Sequence, residues 1–316
     1  MMKKILLVFL SLLFCISIMA QNSVNLKLNL EKNKVYRFNS ASEQTIIQTV
    51  NGNQQTIESK TNYTVSIKMI DATADFMITE IRFDTLITNT NSMGKMINIS
   101  SALEGDIKST ETTDVMSCIM NRLSKNALYV KMDFVGKVLE IVNSKMLSDV
   151  ILKDTSSIAL TGPTASAVKT QIVNMISDNT LKTMVEMFTH YLPGKQVTPG
   201  EDWNINVTTN SGGMTLDILS TYHFNEVTGN TANITGESSI KSAENAPPME
   251  TGGMKITYDD LKGLSKSNMV IDIRTGLIIE DKAKTHITGT LDISAPGFSM
   301  QMPMDINGES KTIVLQ

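Results

Sequence analysis

Phenylalanine, tryptophan and tyrosine together make up only 5% of the 316 residues, and Trp203 is the single tryptophan. A sugar-binding surface displays several exposed aromatics, so this scarcity argues against one. No long run of lysine or arginine occurs, and the formal net charge is −4. Such a chain has neither the global nor the local positive field that draws a protein to nucleic acid, so no nucleic-acid partner is expected. There are two cysteines, Cys15 and Cys118. If the opening segment is removed, Cys118 stands alone and no internal disulfide can form, leaving the fold to rest on its core. Beyond residue 20 no apolar stretch approaches the roughly 20 residues of a membrane-crossing helix. No transmembrane segment is therefore expected in the mature chain.

The opening segment has the order of an export signal. Lys3 and Lys4 precede an apolar run from Ile5 through Ile18, and small Ala20 stands before polar Gln21. Basic, apolar and small residues in that order predict a secretory signal over residues 1–20, cleaved near Ala20. Bulky Phe14 is a poor neighbour for a lipid-modified cysteine, so Cys15 reads as apolar filler. The expected location is the periplasm, the outer membrane's surface or the exterior. The oxidising exterior permits disulfides that this chain does not use.

What is abundant is Ser, Thr and Asn in alternation with apolar residues. Val24 to Leu30 alternates with period two, which predicts a half-buried strand. Extended runs follow at 35–50, 57–70 and 76–87, with a hairpin signal at Asn51-Gly52. Val115, Cys118, Ile119 and Leu123 come close to helical spacing, and 128–142 reads as strand, turn at Val135-Gly136, strand. Asn143 or Ser144 opens a short helix carrying Leu147 and Ile151. Residues 165–191 carry an apolar stripe at helical spacing, broken near Asp178-Asn179 and ended by Pro193-Gly194. From Trp203 the period returns to two, with strands near 203–210, 214–227, 230–242, 254–259, 264–274, 277–294 and 298–314. The predicted class is mainly β (α+β): antiparallel meanders forming a curved sheet or unclosed barrel, with a central helical segment packed on it. The divisions expected are 1–20, a β half over 21–142, a helical segment over 143–192 and a second β half over 193–316.

One internal echo stands out. Asp133-Phe-Val-Gly136-Lys-Val138-Leu139-Glu140 matches Asp272-Ile-Arg-Thr-Gly276-Leu277-Ile278-Ile279-Glu280 with one residue inserted. Two readings are open: a pair of related β halves, or two hairpins that each use Asp and Gly because turns favour them.

Tyr191-Leu-Pro193-Gly-Lys195-Gln-Val197-Thr-Pro-Gly200-Glu-Asp-Trp203 resembles the Pro-x-Lys-x-Val-x-x-Gly-x-x-Trp step of the DUF6263 family, a group of uncharacterised exported Bacteroidetes-type proteins. The start is similar too, with Leu26, Leu28, Leu30, Lys32, Lys34 and Tyr36 at alternate positions, as are the two Asp–Gly corners. The resemblance implies an exported, β-rich protein. It supplies no activity, so it assigns no catalytic residue.

The chemistry-bearing residues give little. His190, His223 and His286 are far apart in sequence and fit no metal-ligand spacing. No Gly-x-Ser-x-Gly elbow or phosphate-cradling glycine loop occurs, and Cys118 lies among apolar neighbours. Asp259-Asp260 is the most obvious carboxylate pair, but neighbours on a strand face opposite ways. No catalytic residue, metal site or cofactor is expected. Asp84-Thr85-Leu86 resembles an O-glycosylation acceptor of Bacteroidetes-type exported proteins. The 21 methionines are more suggestive. Met300, Met302 and Met304 alternate, so they share a face of a lip or edge strand, where Pro303 is at home. Met175, Met184 and Met187 lie in the helical segment. Methionine makes adaptable apolar surfaces, so these six are the candidate ligand-binding residues. The leading expectation is a non-enzymatic binder of an apolar small molecule, a lipid or an envelope partner. A structural or interaction module without a pocket comes second, and a hydrolase third.

Overall fold

The computed structural model describes residues 23–211, 213–251 and 253–315. The expected export signal at 1–20 lies outside them.

Eleven strands form the path of one antiparallel sheet. In spatial order they are β7 (Val138–Ile141), β6 (Leu128–Met132), β4 (Met77–Ser92), β3 (Asn53–Ala72), β2 (Val35–Val50), β16 (Phe298–Leu315), β15 (Ile278–Ala295), β14 (Lys262–Asp272), β11 (Thr231–Ser242), β10 (Met214–Thr228) and β9 (Asp202–Ser211). β5 (Lys95–Ser100) pairs with β4, and a small hairpin, β12 (Met249–Thr251) with β13 (Met254–Thr257), attaches to the end of β15. The strand order has free ends at β7 and β9. It is the unclosed, curved sheet that the alternating pattern predicts. Outward from each meander's corner hairpin the orders run β7–β6–β4–β3–β2 and β15–β14–β11–β10–β9.

Four helices are described: α1 (Thr112–Lys125), α2 (Ser144–Ile151), α3 (Gly162–Met175) and α4 (Asp178–Thr189). The break at Asp178 has a local cause. Ser177 is extended, and its hydroxyl accepts from the Thr180 amide at 3.3 Å, a side-chain cap that starts a new helix. The helices pack chiefly at one end of the sheet, called the lower end here, and α3 also reaches the β12 strand of the small hairpin at the other end. At the lower end Leu26, Phe38, Ile81, Leu123, Val130, Leu147, Val185 and Ile271 form a single closed core. α4 packs on both β7 and β9, the two strands at the ends of the sheet. Glu186 Oε1 accepts from the Val138 amide at 2.8 Å, giving an edge-strand N–H the partner that a closed barrel would have supplied.

Val24 to Leu30 departs from expectation. Only Val24–Asn25 (β1) pairs as a strand, with β8 (Gln196–Val197). The alternation itself is real, since Leu26, Leu28 and Leu30 are buried. Their backbone bonds go elsewhere: the Leu28 amide donates to Phe134 O at 2.7 Å and the Asn29 amide to Thr275 O at 2.9 Å. The segment is a strap threaded across both Asp–Gly corners. Those corners share a design. Asp133 Oδ1 accepts from the amides of Val135 and Lys137, and Asp272 Oδ1 from that of Arg274. Gly136 and Gly276 both have positive φ, and a Cβ would collide with Thr189 O in one and Lys27 O in the other.

Candidate functional site

Long strands carry the sheet well past most of the helices to an upper end. That end is edged by the tight turns at Asn51-Gly52, Met93-Gly94 and Pro296-Gly297. The pairing register shows what lines the inner face in between. Above the closed core, one rung crosses the sheet as Thr88, Thr61, Ser42, Ser310, Ala283, Ser267, Gly236 and Tyr222. The next is Thr90, Ser59, Gln44, Gly308, Thr285, Ser265, Ser238 and Ser220. The third is apolar: Ile57, Ile46, Ile306, Ile287, Gly263, Ile240, Ile218 and Val207. Beyond it lie Met304 beside Gly289, Met302 beside Leu291 and Met300 beside Ile293.

The inner face is therefore banded: apolar core, two hydroxyl rungs, an isoleucine belt and a methionine-lined rim. Side chains at the middle of so wide a sheet should be closed off if protein packed over them. Most of this band is instead half-buried, including Ile57, Ile46, Ile287 and Ile218, while the outward-facing residues of β14 at this height are exposed. A second small cluster, Leu216, Ile240 and Leu261 with Met214, Ile218, Ile287 and Met304 against it, closes part of the upper end. The hydroxyls pair across strands: Ser42 with Thr61 at 2.5 Å, Ser220 with Ser238 at 2.7 Å, Ser265 with Thr285 at 2.8 Å. Each such pair uses one of its two protons and keeps the other, with free lone pairs, for a third group.

The outer face at the same height is ionic. Lys60, Glu43, Glu309, Lys284, Lys266 and Glu237 lie on one rung across six strands. They form ion pairs at 2.8 Å (Lys60–Glu43), 2.7 Å (Lys284–Glu309) and 3.5 Å (Lys266–Glu237). A membrane barrel turns an apolar band to lipid; here charge faces out and isoleucine faces in. No described helix is long and apolar enough to cross a membrane.

The six methionines divide. Met300, Met302 and Met304 share the inner face of β16, as their alternation requires. β16 pairs with β2 only from Met304 onward, so Pro303 stands where one side of the strand has no partner. Met175 and Met184 pack against the lower core, and Met187 is 59% exposed. Of the other trio Met304 packs on the small upper cluster, so the structure does not bring the two trios together. The belt isoleucines are the residues that spacing alone missed. Their signal is present at alternate positions of several strands: Ile57-Ser59-Thr61-Tyr63-Val65 in β3, Ile306-Gly308-Ser310-Thr312-Val314 in β16, Ile218-Ser220-Tyr222-Phe224 in β10.

The other candidates resolve into structure. Asp260 Oδ1 accepts from the Thr290 amide at 2.7 Å, while Asp259 is exposed. Cys118 is buried in the core. His223 pairs with Asp202 at 2.6 Å beside an open outer-face depression of about 610 Å³, and His286 pairs with Asp305 at 3.2 Å. His190 sits at the end of α4, where burial lowers its pKa despite Glu186 nearby. Among the described residues no three His, Cys, Asp or Glu side chains gather as a metal site would need. Thr85 lies within β4, where Asp84 is held by Arg37 at 3.0 Å and Leu86 is buried. The Tyr191-to-Trp203 step is a keystone of the lower end. Tyr191 Oη donates to Gly276 O at 2.8 Å, and Trp203 Nε1 donates to Tyr191 O at 3.0 Å while its ring stacks on Tyr222.

Over residues 74–278 the sequence matches the model of DUF6263, described as a family of unknown function. The chain belongs to the DUF6263 family. No curated protein matches it. Among solved structures, this DUF6263 chain is similar to lipovitellin, studied for its lipid–protein interactions, at 11% identity and a TM-score of 0.44. That match covers 91% of this chain and spans 26% of lipovitellin. It is also similar to an outer-membrane channel from Pseudomonas putida F1, at 7% identity and a TM-score of 0.25, covering 91% of this chain and 97% of the channel. A DUF1329 family protein from Desulfovibrio piger matches at 9% identity and a TM-score of 0.14, over 85% of this chain and 83% of that one. Scores of this size describe a loose correspondence of strands, and nothing about this chain's ligands follows from them.

Proposed function

We propose that this DUF6263 chain is an exported envelope protein that binds an apolar or amphipathic molecule in the upper trough of its sheet, without catalysing a reaction on it. The observation that carries this reading is the isoleucine belt on the concave face, where Ile57, Ile46, Ile287 and Ile218 are left half-buried alongside the buried Ile306 and Ile240. Covering such a surface with a ligand's hydrocarbon gains about 25 cal/mol per Å² removed from water, and concave, mostly apolar surfaces are where small molecules bind. The methionine rim above it supplies a surface that adapts to the ligand's shape.

Native mass spectrometry of the protein purified from its envelope tests the reading. The expected result is a co-purifying apolar adduct, and a melting temperature raised by lipid extract as binding to the folded state requires. No adduct and no shift would overturn it.

A second reading, docking to an envelope partner, is favoured by the upper turns, where Met93 is 73% and Met96 68% exposed. Replacing both with serine separates the two, because it should abolish partner capture and leave the small-molecule adduct in place.

A further inference from the structure

Asp281 stands out on the inner face. It lies beside Thr312 of β16 and Met269 of β14, at the lower border of the hydroxyl rungs. Its Oδ1 is closed off from solvent, and no donor among the described residues reaches it. The residue as a whole is half-buried. The neighbouring lysines are not its partners: Lys282 and Lys311 lie beside Glu280. Its charge is felt by the phenols of Tyr222 and Tyr191, whose pKa values burial raises first and Asp281 raises further. Burial pushes its carboxyl up to about 6, and no cation offsets that cost. The Lys282 amide offsets part of that cost, but a desolvated acid with one oxygen left unpartnered still destabilises the state that contains it.

The surroundings specify what would complement it. On Asp281's own rung Met269, Ile234 and Phe224 belong to the closed core. Above it come the paired hydroxyls, each with a spare donor or acceptor, and then the isoleucine belt opening toward the rim. A ligand entering from the upper end meets apolar surface first and the carboxyl last. We propose that the hydroxyl band is a head-group site. It takes the ammonium of a long-chain amine on Asp281, with hydroxyls of Ser and Thr around it and the alkyl chain along the isoleucine belt. This assignment rests on the binding reading above and adds the head group's chemistry. A charge-assisted hydrogen bond in this desolvated position is stronger than a neutral one, and it satisfies the oxygen that the protein leaves alone.

The test is calorimetric titration of the full chain at pH 7.5 with decylamine, decanoate and decanol. Decylamine should bind at least about tenfold more tightly than decanoate, the effect of one charge-assisted bond. Asp281→Asn should bring the two within about threefold and leave decanol unchanged. Asp281→Ser gives the same reading if the asparagine variant folds poorly. Equal affinity of amine and acid for the unsubstituted chain, or a preference that survives in both variants, would overturn the head-group site while the trough remains a binder. If none of the three binds, the trough reading fails as well.

Discussion

On β3, Val65 and Ile67 are closed off against the core, while Ile57, further up the same strand and on the same face, stands half-buried over a trough. β10 repeats the contrast, with Phe224 buried below and Ile218 half-buried above. The lower end spends its apolar residues on packing against helices. It is held by the strap at Leu26–Leu30, the two Asp–Gly corners and the Tyr191–Trp203 step. The upper end carries a surface of the same chemistry that the protein covers only in part, where Leu216, Ile240 and Leu261 close against it. The difference separates residues that make the fold from residues that are free to make a function. It puts the family's recognisable motif on the fold side.

The comparison breaks most visibly at the corners. Gly136→Ala places a Cβ 1.8 Å from Thr189 O at a φ of +83°, and Gly276→Ala places one 2.2 Å from Lys27 O. Each should cost about 3 kcal/mol or more in chemical denaturation, combining left-handed strain with a collision that backbone must relieve. Core truncation comes next. Ile81→Ala, at a fully buried site, should lose about 3–4 kcal/mol, whereas Ile57→Ala on the belt should lose about 1 kcal/mol or less. Equal losses at the two positions would show that the upper end is packed like the lower.

Asp281 sharpens the contrast through pH. Its folded-state carboxyl titrates near 6, above its ordinary value of 3.8. The folded state therefore holds the proton more tightly, and this group's contribution to stability falls as pH rises from about 4 through 6. Asp281→Asn should flatten that part of the profile and gain about 1–3 kcal/mol at pH 7, read from unfolding curves of both proteins between pH 4 and 8. The smallest effect belongs to the outer rung. Lys60 and Glu43 are both mostly exposed, so Lys60→Ala should change stability by less than about 0.5 kcal/mol.

Much of this was legible in the sequence. Alternation placed the long strands, Asn51-Gly52 and Pro296-Gly297 placed upper turns, and the echo at Asp133 and Asp272 marked two corners of one construction. The segment Val24–Leu30 shows where period two misleads. It reports which side chains are buried, Leu26, Leu28 and Leu30, while the backbone of Leu28 and Asn29 bonds to the corners instead of to a sheet. The binding surface was harder because it exists only in register. Ile57, Ile46, Ile306 and Ile287 come from four strands as much as 260 positions apart, and only pairing aligns them into a belt. The methionines drew attention by their number, yet Met175 and Met184 serve the lower core.

The most direct measurement is fluorescence titration with the neutral apolar probe N-phenyl-1-naphthylamine. It would compare the unsubstituted chain with Ile57→Asn and Ile218→Asn on the belt and with Met187→Ser on the exposed face of α4. The account predicts saturable binding that weakens at least about tenfold in each belt variant, as polar groups placed on an apolar contact surface require. Met187→Ser should leave it unchanged, and all four proteins should show cooperative unfolding. Binding that ignores the belt substitutions, or no saturable binding by the unsubstituted chain, would contradict it.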